Sequence, residues 1–80
     1  MDDDALLDRI DELTHDEQEL RLAGGPDGLD DTARARLDQL EREIAVLYDL
    51  RDRRRAARRA GRDPDEEQPR DPETVARYLQ

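Results

Sequence analysis

Residues 24–28 read Gly-Gly-Pro-Asp-Gly, and no other five consecutive residues of the chain oppose a helix as strongly. Long stretches without Gly or Pro lie on both sides of this break, and large apolar residues recur in them every three or four positions. The pattern predicts an all-α fold, in which two amphipathic helices joined by a loop over residues 24–30 pack antiparallel as a helical hairpin.

The stretch before the break predicts a helix over residues 3–23. One of the three aspartates at residues 2–4 can cap its free N–H groups, and Gly24 is expected to end the helix with Pro26 behind it. One stripe of this helix is apolar except at a single acid, and it consists of Leu6, Ile10, Leu13, Glu17 and Leu20.

The stretch after the break predicts a longer helix over residues 31–60, with Asp30 or Asp31 as its N-cap. Its stripe keeps the same rhythm and consists of Ala33, Leu37, Leu40, Ile44 and Leu47. Reflection of the two stripes about the loop pairs Ile10 with Ile44, Leu13 with Leu40, and Leu6 with Leu47 and Tyr48.

The chain therefore divides into a hairpin over residues 1–62 and a tail over residues 63–80. The tail begins as an acidic linker, and Asp71-Pro72-Glu73 then reads as an N-cap, a first-position Pro and an acid in the first turn. We expect a short C-terminal helix that docks on another surface through Val75, Tyr78 and Leu79.

Composition limits the function classes that this chain can hold. Of its 80 residues 46% are charged, the net charge is −9, and the large aliphatic residues are few. With no Cys, no long apolar run and an acidic N-terminus, the chain lacks the signs of a disulfide scaffold, a membrane span or a signal peptide. We expect a small cytoplasmic protein.

Charge also favours the antiparallel arrangement of the hairpin. Residues 1–20 contain nine acids and one Arg, whereas residues 51–62 contain seven Arg and one Asp. Antiparallel packing sets the aspartates at residues 2–4 beside Arg51 and Arg53. Since each exposed ion pair contributes only about 0.2–1 kcal/mol, these charges select orientation more than they add stability.

A lone hairpin leaves some apolar residues uncovered, because Leu7, Val46 and Leu50 lie off the two stripes. They favour self-association into a dimer that forms a four-helix bundle. The alternative is that the C-terminal helix of the same chain covers that face.

The Arg-rich end of the second helix is the strongest candidate contact surface, with Arg54, Arg55, Arg58 and Arg59 expected to project past the first helix. One interpretation is that these residues neutralise the chain's own acids, a second that they bind an acidic protein partner, and a third that they track nucleic-acid phosphates. The net negative charge and the lack of aromatic residues among the arginines disfavour nucleic acid.

Two further side chains stand out from the pattern. Glu17 interrupts an apolar stripe, so we expect an inter-helix polar lock with Arg34 or Arg36. His15 shares a helix face with Asp11 and Glu19, a spacing that suits a divalent metal but is also that of a solvated face, and we expect no metal or other cofactor.

Catalysis has no candidate residues in this sequence, since it contains neither Ser nor Cys as a nucleophile and its carboxylates have no concave core around them. The expected function is therefore a non-enzymatic protein-interaction or structural module. Nucleic-acid association through the Arg-rich end is one alternative, and a metal-binding helical bundle is another.

Three sets of motifs together are typical of one known family. They are Ile10-x-x-Leu13-x-x-Asp16-Glu17-x-x-Leu20, then Leu40-Glu41 with Asp49-Leu50, and most specifically Arg54-Arg55-Ala56-x-x-x-x-Gly61-x-Asp63-Pro64-Asp65 followed by Val75-x-x-Tyr78. On these residues the chain resembles domain-of-unknown-function family 2630, a family of small actinobacterial proteins. The resemblance implies no activity, cofactor or substrate. It does imply that the second helix and the Gly-Asp-Pro-Asp junction occur together as one unit in members of the family.

Overall fold

The computed structural model describes residues 1–25 and 28–79, with the side chain of Leu79 outside that description. Within these residues the chain forms three α-helices and no strand: α1 over Asp3–Ala23, α2 over Asp31–Arg59 and α3 over Pro72–Leu79. A 3₁₀ turn over Pro64–Glu66 lies between α2 and α3. Helix α1 packs against α2, so the expected all-α fold and the pairing of its two long helices are confirmed.

Side-chain caps begin both long helices at the positions that the sequence indicates. The Asp2 carboxylate accepts a hydrogen bond from the Ala5 N–H at 2.7 Å, and the Asp30 carboxylate accepts one from the Ala33 N–H at 2.8 Å. Each cap satisfies one of the N–H groups that a helix start leaves without an intrahelical acceptor.

Two glycines end α1, each for a different reason. Gly24 keeps right-handed angles and donates its N–H to the Arg21 carbonyl, but a Cβ on it would lie 2.5 Å from Leu29. Gly25 has φ +58, the left-handed region in which a side chain is unfavourable. The expected role of Pro26 behind them lies outside the described residues.

The core includes Leu40 and Leu47 of the stripe predicted for α2, but it also includes Leu50, which lies off that stripe. Leu6 and Ile10 form a buried cluster with Leu50, and Leu47 packs against it. Leu13 and Leu40 are buried further along the hairpin. The expected contact of Leu6 with Leu47 is thus part of the cluster, whereas Ile44, the expected partner of Ile10, is half-buried and lies outside it.

Leu50 lies off the predicted stripe and was therefore expected to take part in self-association. It is only 2% exposed, so that expectation is wrong. The buried residues of α2, together with the half-buried Leu47, follow two seven-residue spacings, Leu40–Leu47–Arg54 and Leu50–Ala57. This is the seam that a partner helix follows when two helices wind around each other. Of the other two residues expected on an uncovered face, Leu7 is exposed and Val46 is half-buried.

The tail is folded back onto α2 rather than extended as a linker. Gly61, with φ +72, reverses the chain: its N–H donates to the Arg58 carbonyl, and the Arg62 N–H donates to the Ala57 carbonyl at 2.8 Å. Both the 3₁₀ turn and α3 then contact α2.

Helix α3 begins as the sequence indicates, because the Asp71 carboxylate accepts from the Glu73 N–H at 3.2 Å. Val75 is buried, as expected of a docking residue, but Tyr78 is 69% exposed. The expectation for the Leu79 side chain lies outside the described residues. Hairpin and tail together measure 50 × 26 × 14 Å, which is a flat, elongated body.

The position of Leu50 in the core can be tested by truncation. We expect Leu50→Ala to lower the free energy of unfolding by about 2–5 kcal/mol, because it removes a buried side chain and leaves a cavity. Leu22→Ala is the matched control, since Leu22 is 82% exposed, and its effect should stay within about 0.5 kcal/mol. Urea unfolding followed by circular dichroism measures both, and equal stability of the two variants would contradict the seam.

Candidate interaction site

Arg54 is the only charged side chain that is buried among the described residues, at 3% exposure. Its guanidinium donates through Nε to Asp3 Oδ1 at 2.8 Å, through Nη1 to the Pro64 carbonyl at 2.9 Å, and through Nη2 to Asp65 Oδ1 at 3.0 Å. One side chain of α2 therefore holds the start of α1 and the 3₁₀ turn at the same time.

This geometry corrects the expectation that Arg54 belongs to an exposed contact surface. Because the 3₁₀ turn folds over the end of the hairpin, the guanidinium is covered and its donors are used within the chain. Arg58 is also engaged, since it donates to the second oxygen of Asp3. Of the four arginines expected to project outward, Arg55 and Arg59 are exposed and form no ion pair with the described residues.

A second ionic network fastens the next segment of the tail to α2. Arg70 forms a bidentate pair with Asp49, with contacts of 2.6 and 3.0 Å, and Arg53 donates to the same carboxylate at 3.0 Å. Arg53 also donates to Glu67 at 2.9 Å and to the Gln68 carbonyl. Within the described residues it therefore pairs with α2 and the tail, and not with the aspartates at residues 2–4 that the charge pattern suggested.

The two carboxylates at the centres of these networks respond to their arginines. The hydrogen bond from Arg54, with further help from Arg58, holds the pKa of Asp3 below its ordinary value of 3.8. The hydrogen bond from Arg70, followed by that from Arg53, lowers the pKa of Asp49 in the same way. Partial desolvation opposes both shifts and is outweighed.

A groove opens between α2 and α3, and its lining residues belong to these two helices. Its volume is about 390 Å³, and it is lined by Ile44, Ala45, Tyr48, Asp49, Asp52, Val75 and Tyr78. Tyr48 is 44% exposed on one wall and Tyr78 stands on the other, with the Arg70 guanidinium 4.7 Å from the centre of its ring. The groove is therefore an apolar, aromatic-walled site with acids at its edge.

Glu17 does not form the expected inter-helix lock with Arg34 or Arg36, because it pairs with an arginine of its own helix. Glu17 accepts from Arg21 of its own helix at 3.2 Å, and Arg21 reaches across the hairpin to Glu41 at 2.8 Å. Neither Arg34 nor Arg36 forms an ion pair with Glu17 within the described ranges, and Arg36 instead donates to Gln39. Helix-turn spacing makes Arg21 the nearer donor, because it lies one turn after Glu17 on the same face.

His15 lies 3.2 Å from Glu19 on the exposed face of α1. No group of three His, Asp or Glu side chains with the geometry of a metal site occurs in residues 1–25 and 28–79. Across the same residues, no helix is both long and apolar enough to cross a membrane.

A smaller depression of about 120 Å³ lies on one flank of the hairpin and exposes Leu7 beside Arg51, Arg55 and Arg58.

The residues that sequence reasoning missed are those of the tail contacts and the groove, chiefly Asp49, Asp65 and Arg70. The Asp63-Pro64-Asp65 motif was the available signal, because Asp63 caps the turn that presents Asp65 to Arg54.

Comparison with known proteins gives one match. A family model described as "Protein of unknown function (DUF2630)" matches residues 2–80, and the chain belongs to this family. No curated protein and no solved structure matches the chain.

Replacement of Arg54 tests whether it holds the tail to the hairpin. Arg54→Lys keeps the charge but removes the fork that reaches Asp3, Pro64 and Asp65 together. We expect the melting temperature to fall by about 5–10 °C. Arg59→Lys is the matched control and should leave the melting temperature unchanged. Circular dichroism measures the melting of both variants, and an equal fall in melting temperature would show that Arg54 has no special role.

Acid titration tests the ion pairs of Asp3 and Asp49. Because their folded pKa values are lowered, these pairs stabilise the fold above about pH 4, and the stabilisation is lost as the pH falls through the lowered values. Asp3→Asn and Asp49→Asn should be less stable than the wild type at pH 7, and the difference should shrink below about pH 4.

The matched control for the acid titration is Asp8→Asn, since Asp8 is exposed and forms no ion pair with the described residues. Urea unfolding at a series of pH values measures all four proteins. A stability difference that stays constant from neutral to acid pH would show that these ion pairs do not contribute.

Proposed function

We propose that this member of the DUF2630 family is a non-enzymatic, cytoplasmic protein-interaction module that binds its partner in the groove between α2 and α3. The observation that carries the proposal is the placement of the tyrosines. Tyr48 and Tyr78 are the only aromatic residues of the chain, and both are exposed on the walls of this one groove.

Exposed aromatic rings of this kind favour contact with another macromolecule. An aromatic side chain is among the largest apolar groups available, and tyrosine is enriched where one protein binds another. In a chain with so few large apolar residues, the core is filled by Leu, Ile, Ala and Val while both rings remain outside it. Contact with a partner would bury them.

The rigid support of the groove fits the same role. One wall belongs to the long helix α2, and the other belongs to α3, which is held by the buried Val75 and by the Arg70–Asp49 pair. Both walls are thus anchored by contacts within the chain itself. A site that is already formed loses less conformational freedom on binding than a site on flexible loops.

Nucleic-acid association through the Arg-rich end is the rival function, and the ion pairs weaken its basis. Arg54 and Arg58 are engaged by Asp3, so Arg55 and Arg59 are the members of the expected four that are exposed and form no ion pair with the described residues. Phosphate binding would also have to overcome the net charge of −9.

Photo-crosslinking in the native cells tests the groove. We expect a benzoyl-phenylalanine at position 48 to give a protein adduct, because its ring stands on the groove wall, and the same group at position 22 to give none. Leu22 is the matched control, since it is more exposed than Tyr48 but lies at the loop end of α1. The absence of a protein adduct at position 48, or the same adducts at both positions, would overturn the proposal.

Gel retardation with DNA and RNA at low salt examines the rival with the same protein. Binding to phosphates would weaken steeply as salt is raised. We expect no retardation; retardation that disappears with salt and with Arg55→Gln and Arg59→Gln together would favour the rival.

A further inference from the structure

We infer that the partner in the groove is a second copy of this chain, with the α2 helices of two molecules packed antiparallel across Tyr48 about a two-fold axis. This inference rests on the proposed function, because it names the occupant of the same groove. Three features of the structure lead to it: the excess of exposed surface, the order of charges on the outward stripe of α2, and the place of Tyr48 at the centre of that stripe.

The chain exposes more surface than a monomer of its size needs to expose. Its accessible surface is 5928 Å², whereas a folded monomer of 9.3 kDa exposes about 5,000 Å². The excess of roughly 900 Å² is close to the ~800 Å² that each partner buries in a standard protein interface. The flat, elongated shape offers that area on one broad side.

The outward stripe of α2 has its charges in a self-complementary order. At helical spacing the stripe contains Asp38, Glu41, Ala45, Tyr48, Asp52, Arg55 and Arg59, all of which are exposed except the half-buried Ala45. Asp38 and Glu41 stand two to three turns before Tyr48, and Arg55 and Arg59 stand two to three turns after it. The remaining charge, Asp52, lies one turn after Tyr48, where antiparallel packing sets it opposite the uncharged residues 44–45 of the partner.

A two-fold axis through Tyr48 brings these opposite charges together. Glu41 and Arg55 are equally far from Tyr48, so antiparallel helices place Glu41 beside the partner's Arg55. Asp38 and the partner's Arg59 meet one turn further out. Each contact occurs twice, as an isologous interface requires, whereas a parallel arrangement would set Glu41 against the partner's Glu41.

Existing contacts leave these residues able to pair. Glu41 accepts from Arg21 on its own chain, but both groups are exposed and a carboxylate has two oxygens that can accept from a second guanidinium. Asp38, Arg55 and Arg59 form no ion pair with other described residues. The charges would set direction and register, and the apolar centre would supply most of the affinity.

The centre of the interface is the groove itself. On the two-fold axis the Tyr48 rings of both copies meet, and each groove of about 390 Å³ offers space for the partner's ring between Tyr48 and Tyr78. This contact surface differs from the one that the sequence suggested, since Leu50 is inside the hairpin and Leu7 lies on a flank beside Arg51 and Arg55.

Charge reversal tests the direction and register of the pairing on the full-length chain. Glu41→Arg gives a stripe with arginine on both sides of Tyr48, and Arg55→Glu gives one with acids on both sides. Either variant alone places like charges opposite each other twice, so we expect its dimer dissociation constant to rise at least tenfold over that of the wild type, as measured by sedimentation at low salt.

An equimolar mixture of the two variants restores both attractive contacts. We therefore expect the mixture, and also the doubly reversed chain with Glu41→Arg and Arg55→Glu together, to return to dimers with wild-type affinity. Asp11→Arg is the matched control, because Asp11 is an exposed acid on α1 away from the stripe, and it should dimerise like the wild type. Circular dichroism confirms that each variant is folded.

Three sedimentation results would each overturn the inference: a folded wild-type monomer at millimolar concentration, single variants that dimerise like the wild type, or a mixture that stays monomeric. Crosslinking at position 48 distinguishes failure of this inference from failure of the proposed function. An adduct with a different protein would leave the interaction module standing without the second copy, whereas the absence of any adduct would remove both. An adduct of twice the chain mass supports the second copy.

Discussion

The burial of one guanidinium constrains the rest of this small structure. Arg54 sits on the seam of α2 where the rhythm of the helix calls for an apolar residue, and a charge there is costly unless its donors are satisfied. Asp3 from α1, together with the Pro64 carbonyl and Asp65 from the 3₁₀ turn, supplies the acceptors. Because Asp3 lies 51 residues before Arg54 and the other two acceptors lie 10 and 11 residues after it, the start of the chain and the tail must both return to this point.

The path of the tail follows from that return. The left-handed Gly61 reverses the chain, Asp65 closes over Arg54, and the next residues run back along α2 to the Arg70–Asp49 pair. Only then does α3 begin, with Val75 as its buried anchor. The groove and its tyrosine walls are thus a consequence of ionic contacts made earlier in the tail, and the scarce apolar residues are left to join α1 and α2.

Local signals in the sequence predicted the elements well, because caps, breaks and apolar spacing act over a few residues. Asp30, Gly24 and Asp71-Pro72 mark helix ends by their own chemistry. The seam of α2 was harder to predict, since the stripe through Leu37 and Ile44 and the seam through Leu50 and Ala57 both have helical spacing. The true seam includes an arginine, so apolar periodicity alone disfavours it, and nothing local singles out Asp3 and Asp65 from the other 21 acids as partners.

The five arginines within residues 53–59 of α2 therefore fall into two groups with different physical roles. Arg53, Arg54 and Arg58 face the chain itself, and their acceptors explain why they stand where they do. Arg55 and Arg59 face outward with no acceptor among the described residues, yet they continue a stripe on which acids precede a central tyrosine. Folding of the single chain does not require acids before Tyr48 and arginines after it, because substitution of exposed, unpaired charges changes stability little. Contact with a surface that has the opposite order of charges does require it. An antiparallel copy of the same helix is the simplest surface with that opposite order.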